Sequence, residues 1–97
     1  MSVVRLIFVP VKPEDAAAAE RVWKQDCAPL MIRQPGCQSE ELLRSTEVKG
    51  EYISYAEWDS QASIDRYLAS KDHQTIKQHA AGLKTKSAPV VKCYTLV

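Results

Sequence analysis

The order of apolar runs and chain breakers in this 97-residue sequence predicts an α+β fold, the ferredoxin-like βαββαβ plait. Three observations carry that reading. Runs of strand length, β-branched or alternating, lie at 3–9, 37–46, 51–58 and 90–97. One helical stretch separates the first run from the second, and another separates the third from the fourth. Between the middle two lies only Glu47-Val48-Lys49-Gly50, a turn that makes them a hairpin. Two right-handed crossovers around a hairpin give one four-stranded antiparallel sheet with both helices on one face.

The first strand, Val3 to Val9, is apolar apart from Arg5 and closes at Pro10, so cover on both faces is expected. Pro13 suits a first helical turn, and Glu14 and Asp15 suit the positive end of its dipole. Ala16 to Ala19 are strong helix formers. Ala19, Trp23, Cys27 and Leu30 form its apolar stripe. Pro29 is expected to kink or fray the end, and Gln34-Pro35-Gly36 stops it. In the second strand Leu43 takes one face, and Leu42 with Arg44 the other. Tyr52, Ile53, Tyr55 and Trp58 make the third a strong strand.

Asp59 or Ser60 can cap the second helix, whose inner stripe is Ile64, Tyr67, Leu68, Ile76, Ala80 and Leu83. The polar Ser70-Lys71-Asp72 interrupts that stripe, and Ser70 can act as a fresh cap. A helix in two pieces is expected, with His73 in the first turn of the second. Gly82 weakens its end, and Ser87-Ala88-Pro89 leads into the last strand, Val90 to Val97. The sheet's open face would carry several apolar residues that so short a chain cannot cover, which predicts a homodimer. Cys37 and Cys93 would then lie on opposite edge strands, too far apart to pair.

Composition sets outer bounds. One domain, 1–97, accounts for the length, and the 45% hydrophobic and 26% charged content is ordinary for a globular chain. No apolar run approaches the ~20 residues that span a bilayer, and the start shows no signal-peptide pattern. Three widely spaced cysteines read as reduced thiols, so a cytoplasmic protein without membrane partners is expected. The net charge of +1 conceals a lysine-rich end: Lys71, Lys77, Lys84, Lys86 and Lys92 face only Asp72 across residues 71–97. That end can attract an anion or be a plain solvated face. Without an arginine cluster or aromatic ladder, nucleic acid is not an expected partner.

Chemistry is suggested by one constellation. Trp58 ends the third strand and His73 opens a helical piece, so indole and imidazole can line one pocket between sheet and helix. His79 follows His73 by six positions and falls on another side of a helix, which disfavours a two-histidine metal site.

Pro35-Gly36-Cys37 running into Glu41-Leu42-Leu43-Arg44-Ser45, Tyr55-Ala56-Glu57-Trp58-Asp59-Ser60, and Tyr67-Leu68-Ala69-Ser70-Lys71-Asp72-His73 resemble the antibiotic biosynthesis monooxygenase (ABM) family. The resemblance implies a dimeric α/β barrel. Its members include cofactor-independent quinol or anthrone monooxygenases, haem-degrading enzymes and an isomerase of a phosphorylated signal molecule. It implies here an oxygenase for a small quinol-like or polyphenolic aromatic, using no cofactor and no metal. His73 would be the base, with Tyr67 a catalytic hydrogen-bond donor. Trp58, Arg5 and Phe8 would bind substrate. Four of the five have a packing alternative: Trp58 and Tyr67 in the core, His73 as a surface cap, Arg5 at a dimer face.

The chain contains no asparagine. The family's haem-degrading branch resembles an Asn–Trp–His arrangement, and here Arg5 or Leu6, Tyr67 and Lys77 stand near those places, which disfavours haem degradation. Two further readings stay open on the same barrel. One is an isomerase or related enzyme for a small phosphorylated or anionic metabolite, motivated by the lysines. The other is a non-catalytic stress-response dimer that binds a small hydrophobic molecule.

Overall fold

The computed structural model describes residues 2–81 and 85–97. Strands β1 (Val3–Pro10), β2 (Cys37–Arg44), β3 (Glu51–Trp58) and β4 (Val90–Thr95) form one sheet in the order β2-β3-β1-β4. Every neighbouring pair is antiparallel, and Cys37 and Cys93 lie on the two edge strands. The βαββαβ expectation holds. The second strand is two residues shorter than expected because the Ser45 hydroxyl accepts the Glu47 and Val48 N–H groups and turns the chain. The last strand stops at Thr95, leaving exposed Leu96 and Val97 beyond it.

Alternation along β3 decides which face is inside. Tyr52, Ser54, Ala56 and Trp58 are buried, and the residues between them are not. Their partners on β1 are Val9, Ile7, Arg5 and Val3, which therefore face the helices too. Phe8, Leu6 and Val4 point the other way. There Glu41, Tyr55, Leu6 and Lys92 make one row, and Leu43, Ile53, Phe8 and Val90 another. In this single chain β1 thus has helices over one face only.

The first helical run is a 3-10 turn (Pro13–Asp15), α1 (Ala16–Val22), a π segment (Trp23–Cys27) and α2 (Ala28–Ile32). The expected kink at Pro29 is replaced by this π segment, where Ala28 N–H donates to the Trp23 carbonyl five residues back. The spacing of the inner residues supplies a reason. Ala19, Trp23, Cys27 and Met31 step by four, and in an α-helix each such step overshoots the inner face by about 40°. A wider turn takes up the overshoot. Cys27 and Met31 are consequently buried, whereas Leu30, the expected stripe residue, is only half-buried. Pro29 then falls in the first turn of α2, where its missing N–H is harmless.

The second run breaks where expected. In α3 (Gln61–Leu68) the Ser60 hydroxyl caps Ser63 N–H at 3.2 Å; in α4 (Lys71–Ala80) the Ser70 hydroxyl caps His73 N–H at 3.1 Å. Ile64, Tyr67 and Ile76 are buried, but Leu68 is exposed because the break after it turns its face to solvent. Gly82 and Leu83, named above, lie outside the described residues.

The core has two parts. One gathers Cys27, Met31, Ala56, Trp58, Ile64, Tyr67 and Ile76. The other gathers Val11, Ala16, Ala19 and Tyr52, whose hydroxyl donates to Glu20. Gly50 joins hairpin and core: it has φ 92°, and a Cβ there would lie 2.2 Å from the Val11 carbonyl oxygen. Gly50→Ala should therefore cost at least about 2 kcal/mol of stability, combining left-handed strain with overlap against fixed backbone, as read by urea unfolding.

Candidate active site

A cavity of about 240 Å³ lies between the inner face of β1 and the helices. Its floor is Arg5, Ile7 and Val9, three alternate residues of β1. Trp23 and Met31 come from the first helical run; Tyr67, His73, Ile76, Lys77 and Ala80 come from the second. Thr85 and Pro89, ahead of β4, complete it. The lining is apolar except for a few polar groups, the usual make-up of a small-molecule site. Two cations, Arg5 and Lys77, belong to it, and among its described lining residues there is no carboxylate.

His73 is fixed from two directions. Its backbone N–H is held by the Ser70 cap, and its ring Nδ1 lies 3.1 Å from the Leu68 carbonyl oxygen. A carbonyl only accepts, so Nδ1 carries the proton and the neutral ring keeps its lone pair on Nε2. Burial lowers the His73 pKa below its ordinary 6.5, and the charges of Arg5 and Lys77 act in the same direction. The bond to Leu68 opposes them without reversing the shift. The His73 ring is therefore neutral at pH 7.

Tyr67 stands against it, ring centroids 5.0 Å apart and edge-on. Burial pushes the Tyr67 phenol up to about 12, so its hydroxyl stays protonated. Behind Tyr67 lies Trp58, at 5.2 Å between centroids. Trp58 is fully buried, its Nε1 has no hydrogen-bond partner among the described residues, and it does not line the cavity.

The five residues singled out from the sequence thus separate. Arg5, 8% exposed, meets Tyr67 and His73 at one cavity. Trp58 lies in the core behind Tyr67 and not on the cavity wall, so it reaches the cavity only through that ring. Phe8 is not at this cavity, because it alternates with Arg5, Ile7 and Val9 and faces out, with the Lys92 ammonium 5.7 Å from its ring centroid. His79 is exposed and remote from the His73 role. Among the described residues no three His, Cys, Asp or Glu side chains are grouped to hold a metal ion. The three cysteines are free, and burial raises the Cys27 and Cys37 thiols to about 11, which suppresses nucleophilic behaviour.

Glu40 was not anticipated. It faces inward on β2, across Ala56 from Arg5, and its Oε1 accepts from Trp23 Nε1 at 3.1 Å and Ser54 Oγ at 3.3 Å. Its Oε2 is buried without a hydrogen-bond partner among the described residues. Burial outweighs both hydrogen bonds and the nearby Arg5 charge, and raises the carboxyl to about 8. A signal existed in the sequence: in Glu40-Glu41-Leu42, alternation must turn one acid to the side of Leu42. The folded pKa exceeds the ordinary 4.5, so the folded state holds this proton where the unfolded chain has lost it. Stability should accordingly fall as pH rises from about 4.5 to about 8. Glu40→Gln should flatten that part of a plot of melting temperature against pH.

Comparison with known proteins agrees with this architecture. The family model described as antibiotic biosynthesis monooxygenase matches residues 2–79. No curated protein matches the chain. Among solved structures, a candidate antibiotic biosynthesis monooxygenase from Bordetella bronchiseptica is similar at 23% identity and TM-score 0.87, covering 99% of this chain and 97% of that one. A conserved protein from Methanosarcina mazei Go1 is similar at 16% identity and TM-score 0.85, covering 97% and 91%. A variant of SnoaB, a cofactor-independent oxygenase from Streptomyces nogalater, is similar at 23% identity and TM-score 0.82, covering 98% and 92%. At these identities the likeness is one of fold.

Proposed function

The chain belongs to the antibiotic biosynthesis monooxygenase family, and from that premise we propose that it is a cofactor-independent monooxygenase of a small, electron-rich phenol or quinol. The observation that carries the reading is the apolar cavity shared by a neutral His73, a protonated Tyr67 and the buried Arg5. An apolar void of about 150 Å³ is enough for benzene, so 240 Å³ suits one or two fused rings. SnoaB, a fold relative, is described as a cofactor-independent oxygenase, which supports the same chemistry.

In the proposed reaction His73 Nε2 takes the phenolic proton. Arg5 and the Tyr67 hydroxyl stabilise the resulting oxyanion in a site that excludes water. The electron-rich ring carbon reduces O2 and bonds to one of its atoms, and the peroxide takes the proton back from His73. Loss of water breaks the O–O bond and leaves a carbonyl, so phenol and O2 become quinone and water. Two copies would meet through the apolar outer face of the sheet, making a homodimer.

Oxygen uptake by metal-free protein over a panel of quinols tests the reading, and absence of uptake with every member rejects it. Binding without uptake would leave a non-catalytic dimer that holds the same ligands. For turnover, kcat/KM should rise with pH through a limb below 6.5 and be flat from there to pH 8, because the base acts unprotonated and its pKa is lowered. A second reading is favoured by Lys77 standing with Arg5 at the cavity: isomerisation of a small phosphorylated or carboxylated metabolite. Phosphate esters that leave the melting temperature unchanged would remove it.

A further inference from the structure

Trp23 occupies a position that the catalytic reading does not use. It walls the 240 Å³ cavity on one side, and on the other it borders an outer groove over β2 of about 420 Å³. That groove is otherwise bounded by Lys24, Ala28, Glu40, Glu41, Leu42 and Leu43. Among the described residues Trp23 alone lines both spaces. Its backbone is the point at which the helix ladder changes: Trp23 N–H donates to Ala19 and Glu20 carbonyls, and its carbonyl accepts from Ala28 in the π turn. π turns inside helices recur at functional sites because they re-aim one side chain.

Contacts with apolar neighbours alone would leave the half-buried ring free to change rotamer. One directional bond removes that freedom, from Trp23 Nε1 to Glu40 Oε1 at 3.1 Å, with Glu40 itself tied to Ser54. An acid on an inner sheet face costs stability, as the raised Glu40 carboxyl shows, so its use there calls for a reason beyond packing. We propose that Trp23 determines the size of ring system the cavity accepts, and that Glu40 is the residue that positions it by holding its indole N–H. The ligands concerned are planar phenols, one or two rings being accepted and three excluded. This rests on the part of the functional reading in which the cavity takes an aromatic ring, and not on oxygenation.

Anaerobic calorimetric titration of hydroquinone, 1,4-dihydroxynaphthalene and 1,8-dihydroxyanthrone measures it directly. The wild type should bind the one- and two-ring probes and discriminate against the third. Trp23→Ala joins cavity and groove, and should raise the affinity ratio of three rings over one by about tenfold. Trp23→Phe, which keeps an aromatic core contact but lacks the N–H, should shift the ratio in the same direction and guards against misfolding of the alanine variant. Glu40→Leu should also shift it that way, by about threefold. Glu40→Gln, whose amide oxygen still accepts the indole proton, should keep the wild-type ratio. A ratio unchanged in both Trp23 variants, or equal effects of Leu and Gln at position 40, overturns the proposal. Failure of the wild type to bind any probe overturns it together with the functional reading. Binding with the expected ratios but no oxygen uptake upholds it and removes only the oxygenase.

Discussion

His73→Ala should lower the rate of oxygen uptake by about 10²- to 10⁴-fold, the usual contribution of a positioned general base. The fold should survive, because the bond from Ser70 to position 73 uses the backbone N–H and not the ring. What disappears is the lone pair on Nε2, the Nδ1–H bond to the Leu68 carbonyl and the edge contact with Tyr67. Two signatures separate loss of a base from general damage. The acid limb of the pH profile should vanish, and free imidazole in the buffer should restore part of the rate. Full turnover by the alanine variant would show that the proton goes elsewhere and would remove His73 as the base.

Trp58→Ala should cost about 3–5 kcal/mol of folding stability, since it empties the largest fully buried side chain. Domains of this size hold only about 5–15 kcal/mol in all, so guanidinium unfolding should show a large fall in the midpoint. Trp58→Phe should cost distinctly less. It removes less volume, and it also removes an indole N–H that is buried without a hydrogen-bond partner among the described residues. Because the ring supports Tyr67 from behind, the alanine variant should also weaken binding in the cavity even where enough folded protein remains to assay. Equal costs for the two substitutions would show that the unpaired N–H carries no penalty, which points to an acceptor such as an ordered water.

Most of the fold was legible because local signals agreed with one another. Tyr52, Ile53, Tyr55 and Trp58 marked β3 as a strand, though not which of its faces is inside, and Gly50 marked the turn by being the residue able to take φ 92°. Ser70 was readable as a cap because a polar triplet interrupts an apolar stripe, and that placed His73 correctly in a first helical turn. The strand period alone separates Phe8 from the site: Arg5 and Phe8 are three apart in a strand and cannot share a face. The π segment was less accessible. A stripe stepping by four is compatible with several helical windings, and only the packed structure decides which one takes up the mismatch. Glu40 was hidden for a related reason. Its burial depends on which of two adjacent acids faces in, and a register irregularity between Cys37 and Ser39 lies immediately before them.

The row Glu41, Tyr55, Leu6, Lys92 runs across the outer face from an acid on one edge strand to a base on the other. Such a face has a polarity, and a second copy laid on it has two inequivalent ways to obey two-fold symmetry. An axis parallel to the strands sets β2 over the other copy's β4 and brings Glu41 towards Lys92. An axis across the strands stacks β2 on β2 and β4 on β4, like charge on like. Only the first turns the handed distribution of charge into attraction, so association by that route weakens with added salt whereas association by the other is helped by it.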